Sequence, residues 1–211
     1  MRILTLVFGL VMSLVACAQD NSVELYQAGV HYDVLPSAVT TITPGKIEVT
    51  EAFSYGCGHC FRFEPLWKAW KAKQADDVAP VKLPVIFRDN FKPLARALFT
   101  AKALGLEAEV NERMFAGIHN EKKNMASESV MASMFKELGI DEEKFMKTYK
   151  SFSVSSQVQQ AEARMRSMNI TGTPQLIVDG RYSISAGKAG GHAEMLKIAD
   201  FLIAKVRAEK Q

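Results

Sequence analysis

Hydrophobic and charged residues alternate in one segment of the N-terminal half of the chain. Within residues 46–53, Ile47 and Val49 alternate with Lys46 and Glu48. A period of two is typical of a β-strand that buries one of its faces. The pattern therefore predicts a strand here, with the charged residues on its exposed face.

Three other segments predict further strands. Residues 81–87 form an apolar run interrupted by Pro84, which favours an edge position or a bulge because proline cannot donate to a neighbouring strand. Residues 176–184 carry the turn pair Asp179-Gly180 between two strand-like runs, which is typical of a two-residue hairpin. A short edge strand is expected at 31–34.

Apolar residues at helical spacing predict one helix over residues 61–74 and a block of helices further along the chain. Four residues mark helix ends: Pro93 suits a first turn, Gly105 follows a C-terminus, and Ser127 and Asp141 can cap N-termini. The further helices are expected near 93–105, 107–118, 127–138, 141–150, 154–168 and 193–206.

The predicted elements follow the order strand, helix, strand, helical block, strand, strand, helix. Alternation of strands and helices is typical of a mixed α/β sheet. The helical block interrupts this alternation, so the expected fold class is α/β with an inserted all-helical segment. The length of 211 residues fits one domain, or one domain with a large insertion.

The first residues have the features of an export signal. A short positive end precedes the apolar run 3–16, which is too short to span a bilayer as a stable helix. Small residues on either side of Cys17 suit signal peptidase, which would remove residues 1–18. The stretch Leu14-Val15-Ala16-Cys17 also resembles a bacterial lipobox, which would remove 1–16 and place a lipid on Cys17. The sequence leaves both outcomes open.

Composition and charge exclude few classes of binding partner. The net charge is +3, and 48% of the residues are hydrophobic, which is sufficient for a core. The sequence has no basic stripe, so a nucleic-acid partner is not expected. No second apolar stretch has the length of a membrane span, so membrane contact is expected only through a lipid on Cys17.

The candidate chemistry lies at Cys57-Gly58-His59-Cys60, between the first strong strand and the helix that follows it. Two thiols at this spacing can form and reopen a disulfide. Unpaired N–H groups at a helix N-terminus stabilise a thiolate, which favours Cys57 as the attacking sulfur and Cys60 as the resolving sulfur. His59 can add a positive charge or a hydrogen-bond donor beside Cys57.

Other functions of this motif fit the sequence less well. A structural zinc site needs about two more cysteine or histidine ligands, and His31, His119 and His192 are scattered along the chain. A hydrolase that used His59 as its base would be trapped as a disulfide by the second cysteine. In an oxidising compartment the pair can remain a disulfide. A bridge that closes so short a loop adds little stability, which favours a redox-active disulfide over a structural one. We expect no metal and no cofactor.

A second signal precedes the predicted hairpin. Gly172-Thr173-Pro174-Gln175, taken together with residues 51–60, resembles the two signature segments of the DsbA family, bacterial periplasmic thiol:disulfide interchange proteins. The resemblance implies a thioredoxin-like mixed sheet with an inserted all-helical domain. It assigns residues 22–88 and 154–211 to the thioredoxin-like domain and residues 89–153 to the inserted helical domain.

The resemblance also implies roles for individual residues. Thr173 and Pro174 are expected to form a cis-proline loop against Cys57, where backbone groups of Thr173 pair with an extended substrate peptide. Glu51 corresponds to a buried acid that relays a proton to Cys60, although strand alternation alone favours a solvent-facing position for it.

Two departures from the family pattern affect the expected redox strength. A lysine that partners the buried acid in some members has no evident match, because Val85 and Ile86 stand at the equivalent part of the second strand. Gly58 replaces the proline that is common between the two cysteines in the family, which predicts a somewhat weaker oxidant than the family's strongest members.

The resemblance implies an enzyme that donates its Cys57–Cys60 disulfide to reduced, unfolded exported proteins through a mixed disulfide on Cys57. An inner-membrane DsbB-like oxidase would then regenerate the disulfide. The protein is expected to be a periplasmic monomer, soluble or anchored through Cys17. Two alternatives stay open: a disulfide isomerase or reductase, and a peptide-binding chaperone module with an idle disulfide.

Overall fold

The computed structural model describes residues 25–210, so the predictions for Cys17 and the export signal lie outside the described residues. The strands are β1 (Asp33–Val34), β2 (Ile47–Phe53), β3 (Val78–Pro84), β4 (Gln175–Val178) and β5 (Tyr182–Ser185). They form one sheet in the order β1-β5-β4-β2-β3. Strands β2 and β3 are parallel, whereas the other neighbouring pairs are antiparallel. This mixed sheet confirms the predicted fold class.

Eight α-helices lie within residues 25–210, and a 3-10 turn at Asp89–Phe91 precedes the second of them. They are α1 (Gly58–Lys71), α2 (Lys92–Leu104), α3 (Glu107–His119), α4 (Glu128–Glu137), α5 (Glu142–Tyr149), α6 (Phe152–Ser167), α7 (Ala186–Ala189) and α8 (His192–Glu209). Five of them, α2 to α6, follow one another between β3 and β4. None of the helices in this range is long and apolar enough to cross a membrane.

Strand β2 is buried along its whole length. It lies between β3 and β4, with side chains of α1 and α8 in the core on one face and side chains of α6 in the core on the other. The prediction of one exposed face was wrong because helices cover both faces of this central strand. Glu48 is consequently buried and accepts hydrogen bonds from the Ile42 backbone N–H and from Arg164 Nη2, both at 2.7 Å.

Strand β3 forms an edge of the sheet, as Pro84 predicts. It contains a second proline, Pro80, and it begins and ends three residues earlier than the predicted range of 81–87. The prediction followed the apolar run to its end. In the structure the strand stops at Pro84, while Val85 and Ile86 remain buried beyond it.

Two local signals in the helical block have their predicted effect, whereas Ser127 stands at the N-cap of α4 without a side-chain capping hydrogen bond. Gly105 follows α2 with φ 71°, a left-handed conformation that glycine adopts without steric cost. Asp141 accepts a hydrogen bond from the Lys144 backbone N–H at the start of α5. Helix α6 begins at Phe152 with Ser151 as its cap, two residues before its predicted start.

The helical block and the end of β2 share one hydrophobic core. Phe53, Tyr55 and Cys60 are buried together with side chains of α2 and α3, including Leu98. The ring of His119, the last residue of α3, donates through Nε2 to the Tyr55 carbonyl oxygen at 2.7 Å. These contacts hold the loop after β2 against the helical block.

Candidate active site

The two cysteines lie where β2 passes into α1. Cys57 is the N-cap residue of α1 and has an extended backbone (φ −90°, ψ 116°), and the helix begins at Gly58, three residues before its predicted start. The Cys57 Sγ accepts a hydrogen bond from the Cys60 backbone N–H at 3.4 Å. Both cysteines are free. Cys57 therefore lies at a helix N-terminus, as its sequence context predicts.

The two thiols have opposite environments. Cys57 is partly exposed, whereas Cys60 is fully buried. The pKa of Cys57 is lowered to about 5, mainly by hydrogen bonding with Cys60 and also by the contact with Thr173, while burial acts in the opposite direction. The hydrogen bond with Cys57 and burial raise the pKa of Cys60 far above its usual range. Near neutral pH, Cys57 is therefore an accessible thiolate and Cys60 an enclosed thiol.

The loop that precedes β4 lies against Cys57. The Thr173–Pro174 peptide bond is cis. Cys57 Sγ lies 3.5 Å from the Thr173 carbonyl oxygen, across a separation of 116 residues. Pro174 is buried. The fold thus brings this loop to Cys57 in the arrangement that the family resemblance implies.

Glu51 is fully buried on β2, and the parallel register of β2 and β3 places it opposite Lys82. Lys82 Nζ lies 3.2 Å from Glu51 Oε2. Burial raises the pKa of Glu51 to about 7, although Lys82 lowers it. Within residues 25–210, neither oxygen of Glu51 has an aligned hydrogen-bond partner. A carboxyl group with these properties can take up and release a proton near neutral pH.

The expectation that the buried acid lacks a lysine partner was wrong. It followed from the predicted bounds of the second strand, in which Val85 and Ile86 stand near the acid. Because the strand ends at Pro84, Lys82 occupies the position opposite Glu51. The sequence did carry a signal for this role, since Lys82 is the single charged residue in the apolar run 81–87.

Glu64 of α1 completes a charged cluster that sequence reasoning missed. Its carboxylate pairs with Lys82 and accepts a hydrogen bond from Asn111 Nδ2 at 2.7 Å. Burial lowers the pKa of Lys82, but the charges of Glu51 and Glu64 outweigh this effect and raise it overall. Glu64 stands one helical turn after Cys60, on the same face of α1. No motif marks it, because its partners come from β3 and α3.

A groove of about 770 Å³ runs between α1, β3 and α3 and reaches this charged cluster. Lys82, Glu64 and Asn111 lie in its lining, together with the aromatic side chains of Phe61 and Phe115. The groove connects the cluster beneath the cysteines to the protein surface.

His59 lies exposed in the first turn of α1. Its ring contacts the guanidinium group of Arg62 and, edge to face, the ring of His192. The structure therefore places His59 at the surface between the two cysteines, with two other basic side chains around it.

Comparisons with known proteins bear on this site. Residues 73–201 match the family described as the DSBA-like thioredoxin domain. The thiol:disulfide interchange protein DsbA of Pseudomonas aeruginosa is 40% identical over 183 residues, which cover 87% of each chain. The DsbA of Azotobacter vinelandii is 38% identical over 191 residues, which cover 90% of this chain and 89% of that relative.

Solved structures share the fold. The crystal structure of Pseudomonas aeruginosa DsbA aligns with a TM-score of 0.83 at 40% identity, over 88% of this chain and 96% of that chain. The oxidoreductase DsbA from Xylella fastidiosa aligns with a TM-score of 0.81 at 31% identity, over 87% of this chain and 99% of that chain. These similarities confirm the resemblance found in the sequence. The chain belongs to the DsbA family of thioredoxin-fold proteins and is a thiol–disulfide oxidoreductase.

Proposed function

We propose that the protein is an oxidase that donates the Cys57–Cys60 disulfide to reduced, unfolded exported proteins. The observation that carries this proposal is the contrast between the two thiols. Cys57 is accessible and its pKa is lowered, whereas Cys60 is buried and its pKa is raised. A stabilised Cys57 thiolate favours the reduced form of the pair, and a pair whose reduced form is stabilised oxidises other thiols.

Transfer takes two exchanges. A substrate thiolate attacks the Cys57 sulfur, the Cys57–Cys60 bond breaks, and Cys60 leaves with the electron pair and takes up a proton. A second substrate thiolate then attacks the substrate sulfur of the mixed disulfide, which forms the substrate disulfide and releases Cys57 as a thiolate. The raised pKa of Cys60 favours its protonation, and the lowered pKa of Cys57 makes it a good leaving group.

Four further residues have proposed roles in these exchanges. Glu51 relays the proton to Cys60, a role supported by its burial and by its pKa of about 7. Thr173 and Pro174 bind the extended substrate peptide, because their loop lies against the attacked sulfur. His59 supplies a donor or a positive charge at the mouth of the site.

The cellular setting is part of the same proposal. Family membership and the export signal support a periplasmic monomer that an inner-membrane DsbB-like oxidase reoxidises. The mass of the mature protein distinguishes removal of residues 1–18 from lipidation of Cys17.

The test is an equilibrium titration of the purified protein against a glutathione redox buffer, combined with thiol trapping in cells. We expect a pair more oxidising than glutathione and a mostly oxidised protein in the cell. Mostly reduced protein would support an isomerase or reductase instead. A Cys57→Ser variant with full function would support a chaperone with an idle disulfide.

A further inference from the structure

Arg62 holds the ring of His59 from one turn further along α1. Its Nη2 lies 3.1 Å from His59 Nδ1. Arginine has only donors, so Nδ1 is the acceptor in this contact and the ring proton lies on Nε2. This contact joins two exposed side chains of the first turns of α1.

The guanidinium of Arg62 lies close to Gly58. A Cβ atom built on Gly58 would have Arg62 Nη1 as its nearest neighbour, at 3.6 Å. The charged group therefore lies over the residue that directly follows Cys57. A positive charge therefore lies close to the residue next to Cys57 in the chain.

His192 extends the same basic surface from another element. It is the first residue of α8, and its ring centroid lies 5.9 Å from that of His59. Burial lowers the pKa of His192, the nearby His59 and Arg62 lower it further, and the charge of Cys57 raises it. The side chains of Arg62, His59 and His192, here called the arginine–histidine rim, thus lie together near Cys57, and the permanent charge of this rim is that of Arg62.

The charge of Arg62 is not balanced by an acid. Within residues 25–210 no carboxylate lies in salt-bridge range of its guanidinium, whose contact is with His59. Four other arginines, Arg113, Arg166, Arg181 and Arg207, do reach a glutamate or aspartate, whereas the exposed Arg88, like Arg62, forms no such pair among the described residues. An arginine without an internal acid partner, placed beside the attacked sulfur, is available to a carboxylate of the substrate.

We propose that Arg62 is a specificity residue, and that its charge within the arginine–histidine rim favours substrate segments with an acidic side chain next to the reactive cysteine. This inference rests on the proposed function, because it concerns the chain that forms the mixed disulfide on Cys57. The substrate cysteine must approach the Cys57 sulfur, so its chain neighbours lie within a few ångströms of the rim. A guanidinium there both attracts an acidic segment during encounter and pairs with its carboxylate in the mixed disulfide.

The test uses dithiol peptides of one length that differ only beside the attacking cysteine, where they carry Glu, Gln or Lys. Their oxidation by the disulfide form of the enzyme is followed by acid quenching, alkylation and mass spectrometry. Flanking charges change the pKa of the peptide thiol itself. The quantity compared between enzymes is therefore the Glu-to-Lys ratio of second-order rate constants, in which this effect cancels.

Four enzymes are compared: wild type, Arg62→Met, Arg62→Lys and Lys147→Met. Lys147 is an exposed lysine on α5, and its replacement removes the same charge from the helical block. We expect the Glu-to-Lys ratio to fall about two- to fivefold in Arg62→Met, the size of one partly screened charge pair. Arg62→Lys and Lys147→Met should keep the wild-type ratio, and added salt should reduce the wild-type preference.

Equal Glu-to-Lys ratios in wild type and Arg62→Met would overturn the inference. It would also be overturned if Arg62→Lys lowered the ratio as much as Arg62→Met does. A wild-type enzyme that oxidises none of the peptides would instead overturn the proposed function. The two failures are distinguishable, because the first leaves the rate for the Gln peptide intact and the second does not.

Discussion

At the scale of single residues, two identical side chains differ because of what surrounds them. Cys57 caps a helix and borders solvent, while Cys60 is enclosed with Phe53 and Leu98 in the core. This division of roles could be predicted, because the spacing of the cysteines and the flanking elements place the first of them at a helix N-terminus. The contact with Thr173 could not be predicted from local patterns, since it joins distant parts of the chain.

Substitution of each cysteine in turn distinguishes their roles. Cys57→Ala is expected to abolish disulfide transfer, because no accessible sulfur is left for a substrate to attack. Cys60→Ala is expected to accumulate mixed disulfides on Cys57, formed when the Cys57 thiolate attacks a disulfide of another protein and releases one of its thiols, because no Cys60 thiol is present to attack Cys57 and displace the bound protein. Non-reducing gels of cell extracts, with masses of the trapped species, measure both effects. Trapping by Cys57→Ala rather than Cys60→Ala would reverse the assignment.

At the scale of elements, the register of two parallel strands creates the charged cluster beneath the cysteines. Glu51 and Lys82 come together because β3 begins at Val78. The existence of both strands could be predicted, but a shift of three residues was enough to hide this pair. Strand ends depend on where tertiary contacts stop, and Val85 stays in the core after the strand has ended.

Removal of the lysine tests this pair. Lys82→Met is expected to lower the free energy of unfolding by about 3 kcal/mol, because Glu51 is left buried without its cation. It is also expected to raise the pKa of Glu51 above 7, since Lys82 is the group that lowers it. Urea unfolding and infrared titration of the carboxyl group measure the two effects. The exposed Lys147→Met is the control, and an equal loss of stability there would contradict the prediction.

Helix α6 is attached to the sheet by a buried ion pair. Arg164 Nη2 lies 2.7 Å from Glu48, which is almost completely buried, whereas Arg166 on the same helix pairs with Glu162 at the surface. Arg164→Met is expected to cost about 3–5 kcal/mol, because it strands the Glu48 charge in the core. Arg166→Met should cost less than about 1 kcal/mol. Urea unfolding of both variants compares them, and similar losses would contradict a structural role for Glu48.

At the scale of the whole molecule, the order of elements could be predicted but the order of strands in the sheet could not. Periodicity shows where a strand or a helix lies, and the helical block appears between β3 and β4 as expected. Pairing of β2 with β4 joins segments on either side of that block. Such pairing depends on long-range packing, which periodicity does not report, and the family resemblance implied only a thioredoxin-like mixed sheet. The proposed domain bounds at residues 22, 89 and 154 remain predictions.

Stability of the whole protein should depend jointly on redox state and pH. The pKa of Cys57 is about 5 in the folded reduced protein, against about 8.5 for an unfolded cysteine. A lowered pKa stabilises the folded reduced form most at about pH 8 and above, less as the pH falls, and not at all below about pH 5. The raised pKa of Cys60 affects the stability of the folded reduced form only above about pH 8, where an unfolded cysteine begins to lose its proton.

Urea unfolding of the reduced and oxidised proteins at several pH values between about 8 and 4 measures this dependence. The stability of the reduced form relative to the oxidised form is expected to decrease continuously on acidification. A difference that stays constant with pH would show that the Cys57 thiolate is not the source of the stabilisation.

The edges of the sheet have a consequence for turnover. Strand β1 has two residues, and β3 carries Pro80 and Pro84, which have no N–H group to offer. An unfolded client chain has free backbone groups, and a long regular edge would template their addition as a further strand. Both edges are unsuited to this, so we expect a client chain to contact the exchange site and the side chains around it without adding a strand to the sheet. Such a client is expected to leave readily once its own disulfide has formed.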